Sequence, residues 1–246
     1  MTITVTTLAE RPELEGPLDE LTRFWPRFML EDPIADLYYR DLSLVADTVW
    51  VATDGARTVA RAFATPVALG PEHDRPELPE DGWDAVVRHA WHDRLDGRAP
   101  THLSALEIMI EPSHRGTGLA TRMIEVMRDA GRERGLAALL APVRPTRKAE
   151  EPDTPMTAYA ARRRPDGLPA DPWLRTHVRA GGAQREVCPA SMTIGAPLAA
   201  WRAWTGLALD RTGPTHVPGA LVPVHVDVEQ DHAVYVEPNV WVVHRC

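Results

Sequence analysis

The run Arg115-Gly-Thr-Gly-Leu-Ala120 is the part of this sequence with the clearest capacity for chemistry. It lies between a stretch dense in apolar residues and a stretch with helical periodicity. Two glycines at such a turn let backbone N–H groups converge, and these donors, with the positive end of the helix dipole, bind phosphate oxygens. A tight turn whose glycines serve packing alone is the alternative interpretation, because so short a glycine motif is weakly specific.

Two familiar phosphate-binding motifs do not fit this run. A dinucleotide-binding turn needs a third glycine, where this chain has Thr121, and an acidic residue after the next strand, which here ends in Val143-Arg144. A P-loop needs a lysine beside its last glycine, and Leu119 stands there. The turn therefore predicts an anion site of another kind.

The elements around the turn form one strand–turn–helix–strand unit over residues 103–143. LSALEIMI is apolar enough to be a strand buried on both faces, and residues 136–143 predict a second strand. Between them, Gly118 to Arg134 predicts an amphipathic helix that Gly135 ends. Strands joined by such a helix run parallel, so the turn sits at the carboxyl end of the first strand.

The rest of the chain predicts short strands and helices. Asp54-Gly55, between two alternating β-rich runs, is a hairpin signal. Apolar spacing predicts helices at about 17–28, 33–44, 83–95, 173–180 and 197–207, a strand at 184–188, and a terminal hairpin of 220–229 with 233–243.

Composition excludes several classes of protein. The chain has 246 residues, 44% of them hydrophobic, and a net charge of −8. It lacks the apolar run of about 20 residues that a membrane span needs, lacks a signal-peptide pattern, and lacks the basic stripe that nucleic acid requires. Two cysteines, Cys188 and Cys246, suit a reducing cytoplasm. No ligand set for a metal is evident, since His89 and His92 have no further partner.

The stretch from residue 103 to residue 143 resembles the core of the GNAT superfamily of acyl-CoA-dependent N-acetyltransferases. The resemblance rests on a strand, Pro112, and the signature Arg115-x-x-Gly118-x-Ala120 before a helix. It implies an α/β fold with a mixed, mostly antiparallel sheet flanked by helices. It also implies that the turn binds the coenzyme A pyrophosphate through Arg115, Gly116, Thr117, Gly118, Leu119 and Ala120. The pantetheine arm would pair with the preceding strand at Ile108, Met109 and Ile110.

A second resemblance is carried by motifs between Pro142 and the C-terminus. It is to the GNAT-like domains of polyketide synthase loading modules, in which a threonine and a histidine carry the chemistry. Thr146 and His177 match them here, and His177 stands where other GNAT proteins have a tyrosine acid. The resemblance implies handling of acetyl-CoA or malonyl-CoA, by decarboxylation, by transfer to a carrier-protein thiol, or by both. An imidazole and a hydroxyl could stabilise and protonate the enolate that decarboxylation forms.

Glu107 interrupts the apolar strand, where a lone carboxylate is costly to bury. Members of the family that acetylate amines often place a base on this strand, so Glu107 is the predicted base for that reaction. A carboxylate paired with an arginine, or one at the strand's water-facing end, is the alternative.

These observations predict one GNAT-like domain over residues 1–246, with a core at about 48–190 and an extension at about 191–246. The predicted function is acyl transfer from a small acyl-CoA, acetyl-CoA or malonyl-CoA, to an amine or a carrier-protein thiol, without a metal. Malonyl-CoA decarboxylation and a non-catalytic acyl-CoA sensor are the alternatives. The long hairpin after Val217 offers an edge for pairing with a second copy, which leaves a homodimer open.

Overall fold

The computed structural model describes residues 3–246, in which nine strands form one sheet. The strands are β1 (Ile3–Thr7), β2 (Val49–Asp54), β3 (Arg57–Val67), β4 (His102–Ile110), β5 (Ala138–Val143), β6 (Ala183–Pro197), β7 (Gly213–Thr215), β8 (Val224–Asp227) and β9 (His232–Arg245). They lie in the order β1-β2-β3-β4-β5-β9-β8-β7, and β6 pairs with the other side of β9. Of these pairings only β4 with β5 is parallel, which confirms the mixed, mostly antiparallel sheet.

Seven α-helices accompany the strands within the same residues. They are α1 (Glu15–Asp19), α2 (Asp36–Tyr39), α3 (Gly82–Asp96), α4 (Leu119–Glu133), α5 (Met156–Ala160), α6 (Pro172–Arg179) and α7 (Leu198–Thr205). In the part of the chain that the structure describes, none of these is long and apolar enough to cross a membrane.

Alternation along the strands places apolar clusters on both faces of the sheet, and β2 contributes to the two largest of the three. Trp50 and Ala52 of β2 belong to the cluster that holds α4, whereas Val49 and Val51 belong to the cluster that holds α3 and α7. One domain over 1–246 stays a prediction, and residues 1 and 2 of that range lie outside the described residues.

The predicted helices at 17–28 and 33–44 are both too long, because Pro26 interrupts the first and the second ends at Tyr39, before the extended residue Asp41. Trp25 precedes Pro26 and Asp32 precedes Pro33, and both residues are extended, with ψ angles of 144° and 121°. A proline disfavours the helical conformation of the residue before it. The segment folds as α1, α2 and short 3-10 turns, and its apolar residues pack against β2 and β3.

The predicted strand at 184–188 is too short. β6 continues to Pro197 and pairs with β9 along most of its length, so it crosses the predicted boundary at 191 between core and extension. The pairing shifts register between Cys188 and Met192, around Pro189. Proline is tolerated in a sheet at such an irregularity, which is why it does not end the strand.

Candidate active site

The strands β4 and β5 lie side by side for only two residue pairs, Leu103 with Leu139 and Ser104 with Leu140. Both strands continue beyond these pairs, β4 to Ile110, so they diverge and leave a gap in the sheet. On its other side β4 stays paired with β3. Within the described residues, the edge of 105–110 that faces the gap has no strand partner, and an extended ligand could pair with its backbone.

The glycine turn follows β4 at this end of the gap. Gly116 and Gly118 have φ angles of +78° and +88°, and nothing lies within 4 Å of a Cβ built on either. The backbone N–H groups of residues 116–121 donate no hydrogen bond within residues 3–246. Arg115 donates from Nε to the carbonyl of Ile110 at 3.2 Å, which ties the turn to β4. A turn with free donors, open space and a helix N-terminus suits a phosphate group.

A cavity of about 320 Å³ lies where β4 and β5 diverge. The irregular N-terminal segment forms its opposite wall, with aromatic rings and carboxylates, and β9 contributes to its floor. Of the three predicted catalytic residues, Glu107 lines the cavity, and Thr146 and His177 do not. Its charged or aromatic lining residues are Asp19, Trp25, Asp36, Tyr39, Arg61, Phe63, Trp83, Glu107, Arg144 and Glu237.

Glu107 is held by three hydrogen bonds. Arg61 donates to both of its carboxylate oxygens, and Trp25 donates from its indole Nε1 to Oε2 at 2.8 Å. The side chains of Arg61 and Glu107 are only 6% and 7% exposed. Arg61 also donates to the carbonyl of Leu18 at 2.7 Å and to the hydroxyl of Thr22 at 2.8 Å, so this pair fixes the N-terminal segment over the cavity.

A second buried ion pair lies on the opposite side of the gap. Arg144, the residue directly after β5, donates from Nε to both oxygens of Glu237, at 3.1 and 2.9 Å. Tyr235 and Asn239 donate to the same carboxylate at 2.7 and 3.0 Å. Burial alone would lower the pKa of Arg144, but the adjacent Glu237 outweighs it and the pKa is raised, so the guanidinium stays charged.

His177 lies apart from these groups, on α6. It is 2% exposed, its ring packs on Trp173, and its Nδ1 shares a hydrogen bond of 3.0 Å with Nε2 of His244. Burial, and then the neighbouring His244, lower the pKa of His177 well below its ordinary value. A neutral imidazole that is closed off from the cavity is a poor proton donor there, so the geometry gives no support to a general acid role for His177.

Thr146 also lies away from the cavity lining. It is exposed, in the turn that follows β5. The structure therefore does not bring Thr146 and Glu107 onto one site, and the role of Thr146 is untested.

The family of this chain is shown by a similar protein of known activity rather than by a family model. No family model matches the sequence. The arginine N-acetyltransferase avaD of Aspergillus versicolor is 34% identical over 272 residues, which span 97% of this chain and 92% of that protein.

The chain belongs to the GNAT superfamily of acyl-CoA-dependent acyltransferases. Solved structures confirm the fold. The loading GNAT-like domain of CurA from Lyngbya majuscula aligns with a TM-score of 0.65 at 16% identity, covering 100% of this chain and 98% of that one. The GNAT-like decarboxylase GphF, solved with isobutyryl-CoA, aligns with a TM-score of 0.55 at 19% identity, covering 100% and 99%.

Several cavity residues of this GNAT protein were missed from the sequence. Glu237 carries the same signal as Glu107, a lone carboxylate inside an apolar strand, and that signal could have found it. Arg144 directly follows a buried strand, a position that by itself gives no signal for a cavity residue. Asp19 and Asp36 carry no such signal, because an acidic residue in a polar segment is usually on a solvated surface.

Within residues 3–246, no group of three or more His, Cys, Asp or Glu side chains is placed to hold a metal ion. His89 and His92 remain without a further ligand there. Cys188 is buried, and burial raises the pKa of its thiol to about 12, which makes it a packing residue rather than a nucleophile.

Proposed function

We propose that this GNAT protein transfers an acetyl group from acetyl-CoA to a nitrogen of a cationic acceptor of the arginine type. The observation that carries the proposal is the charge of the cavity. Four carboxylates and two guanidinium groups line it, and the ion pairs of Glu107 and Glu237 account for both guanidinium groups. Asp19 and Asp36 are exposed and have no ion-pair partner within residues 3–246, so they make the open side of the cavity acidic and attractive to a cation.

The aromatic walls favour a planar cation. Tyr39 stacks on Trp83 with ring centroids 6.4 Å apart and an interplanar angle of 14°, and Tyr39 and Phe63 pack in a T-shaped arrangement. Guanidinium groups pack on aromatic faces and hydrogen-bond to carboxylates through a planar fork. Similarity to the arginine N-acetyltransferase of Aspergillus versicolor agrees with an acceptor of this kind.

The proposed donor site is the gap between β4 and β5. The pyrophosphate would be bound by residues 115–120, and the pantetheine arm would pair with the free edge of residues 108–110. The thioester would then reach the cavity beside Glu107. Glu107 accepts a proton from the cationic acceptor, which frees a lone pair on the reacting nitrogen. That nitrogen attacks the thioester carbon, the C–S bond breaks, and coenzyme A leaves as a thiolate.

Removing the unpaired carboxylates is expected to weaken acceptor binding alone. Asp19→Asn and Asp36→Asn should each raise the KM for L-arginine or agmatine roughly tenfold, because a charge-assisted hydrogen bond contributes about 1.5–3 kcal/mol. The KM for acetyl-CoA should stay constant. Initial rates of acetylated product, followed by mass, measure both constants.

Glu20→Gln is the matched control, since Glu20 is adjacent to Asp19 and exposed like it, but is absent from the cavity lining. It should leave both KM values unchanged. Equal KM values for the two aspartate variants and this control would contradict the cationic acceptor.

The same assay separates Glu107 from His177 as the proton-transfer group. Glu107→Gln is expected to lower kcat about 100-fold or more, because an amide cannot accept the proton. His177→Gln is expected to keep kcat within about threefold and to lower the melting temperature, because it disturbs the buried contact with His244. Loss of kcat in a folded Glu107→Gln protein, with kcat kept in His177→Gln, supports the assignment. A collapse of kcat in a folded His177→Gln protein would restore His177 as the catalytic group.

Malonyl-CoA as donor, a carrier-protein thiol as acceptor, a homodimer and a cytoplasmic location stay predictions. Thr146 and His177, which would carry decarboxylation, do not line the cavity, and so the structure favours amine acetylation over that reaction. Incubation with malonyl-CoA, with and without a phosphopantetheinyl carrier protein, tests the alternative by the release of carbon dioxide.

A further inference from the structure

Arg144 has hydrogen-bond donors that the fold leaves unused. Its Nε is bound to Glu237, and one terminal nitrogen, Nη2, donates to the carbonyl of Gly219. The other terminal nitrogen, Nη1, has no acceptor within residues 3–246. Because Arg144 lines the cavity and its side chain is 19% exposed, this nitrogen is the part of the guanidinium left for a ligand.

The guanidinium is held in place from several sides. Glu237 is fully buried and is itself fixed by Tyr235 and Asn239. The face of Arg144 lies 5.7 Å from the ring centroid of Trp25, whose indole N–H donates to Glu107. Trp25 thus contacts both Glu107, on β4, and Arg144, which follows the end of β5 on the other side of the gap.

We propose that Nη1 of Arg144 donates hydrogen bonds to the acyl carbonyl oxygen of the thioester and stabilises the negative charge on that oxygen during transfer. As the acceptor nitrogen forms its bond to the carbonyl carbon, the C=O π electrons move onto oxygen. They return when the C–S bond breaks and the thiolate leaves. Donors that are fixed before the reaction stabilise such a charge without reorganisation. This inference rests on the donor site proposed above, and not on the identity of the acceptor.

The experiment compares Arg144→Gln and Arg144→Lys with the unmodified protein, using acetyl-CoA with L-arginine. Arg144→Gln is expected to lower kcat by about 100- to 1,000-fold, the usual effect of losing one such donor, while the Kd for acetyl-CoA stays within about threefold. The kcat of Arg144→Lys should lie between those of Arg144→Gln and the unmodified protein, because an ammonium group supplies the charge but not the planar fork. In Arg144→Ala, added guanidinium chloride should restore part of the lost kcat.

Arg144→Gln alone leaves Glu237 as an unpaired buried charge, which threatens folding. The double variant R144Q/E237Q removes both charges and should fold, as circular dichroism would show, with the same loss of kcat. A folded double variant with unchanged kcat overturns the inference. A raised KM for L-arginine with unchanged kcat also overturns it, since Arg144 would then bind the acceptor's carboxylate.

Failure of the proposed acceptor is a separate result. If the protein acetylates neither L-arginine nor agmatine, the slow hydrolysis of acetyl-CoA by water still passes through an anionic carbonyl oxygen. Release of coenzyme A, measured by chromatography, should then fall about 100-fold in R144Q/E237Q. Equal hydrolysis in the two proteins would reject the role of Arg144 whatever the acceptor is.

Discussion

Gly118→Asp should abolish measurable binding of acetyl-CoA. Gly118 has a φ of +88°, a conformation that costs an ordinary residue about 1–2 kcal/mol, and it caps α4 at the turn proposed to bind the pyrophosphate. An aspartate there would also bring a carboxylate against the phosphates. Two like charges about 4 Å apart repel by about 4 kcal/mol near a protein surface. Together these effects predict a loss of affinity of more than 100-fold by calorimetry.

Gly135→Asp is the matched control for strain and charge. Gly135 has a φ of +69°, also has nothing within 4 Å of a built Cβ, and follows the other end of α4. Its substitution should cost stability and leave the Kd for acetyl-CoA unchanged. Gly118→Ala adds strain without charge, so its affinity for acetyl-CoA should lie between those of Gly118→Asp and Gly135→Asp. If Gly118→Asp binds acetyl-CoA as tightly as Gly135→Asp does, the pyrophosphate is not bound at this turn.

A pair of buried aspartates, Asp32 and Asp84, should make the stability of the protein depend on pH. Asp32 and Asp84 are each 3% exposed, and each has one carboxylate oxygen without a hydrogen-bond partner inside the described chain. Their other oxygens accept from the backbone N–H groups of Ile34 and Thr193, at 2.8 and 3.1 Å. Burial first, and then the neighbouring Asp32, raise the pKa of Asp84 to about 8. The two carboxyl groups therefore share a proton at neutral pH.

A pKa that is higher in the folded state than in the unfolded state destabilises the protein as the pH rises. The stability is intact below the unfolded pKa, near 4, and is lost progressively until the pH passes 8. The slope approaches 1.4 kcal/mol per pH unit for one proton, about the free energy of one pKa unit. Chemical unfolding at pH 5 and at pH 8 should show this loss in the unmodified protein.

Asp84→Asn should remove most of that dependence. The asparagine amide can donate to Asp32 and still accept from Thr193, so both oxygens that lack partners become satisfied. At pH 8 the variant should be more stable by about 2 kcal/mol, roughly 4 to 8 °C in Tm for a chain of this size. Asp93→Asn, another buried aspartate but one that pairs with Arg75 at 2.7 Å, should instead lower stability at the same pH. A stability of Asp84→Asn that declines with pH as steeply as in the unmodified protein would refute the shared proton.

Short-range sequence patterns correctly predicted the strands and the helix closest to the proposed donor site. The strand, glycine turn, helix and strand predicted over 103–143 are β4, the turn, α4 and β5, and Asp54-Gly55 joins β2 to β3 as predicted. These features depend on periodicity, on a hairpin turn and on a helix stop, all of which act over a few residues. The family resemblance, carried by the same short signature, is confirmed as well.

The cavity, in contrast, was decided by tertiary structure. Its two ion pairs join residues 46 and 93 positions apart, and Trp25 reaches Glu107 from 82 positions away. No short-range pattern specifies such partners, because they meet only when the N-terminal segment folds over the gap and β9 pairs with β5. The same long-range pairing places His177 against His244 and buries it, whereas the sequence pattern predicted a histidine at the reacting group. The sequence by itself determined the fold and the position of the glycine turn, and burial between distant segments decided which charged side chains line the cavity.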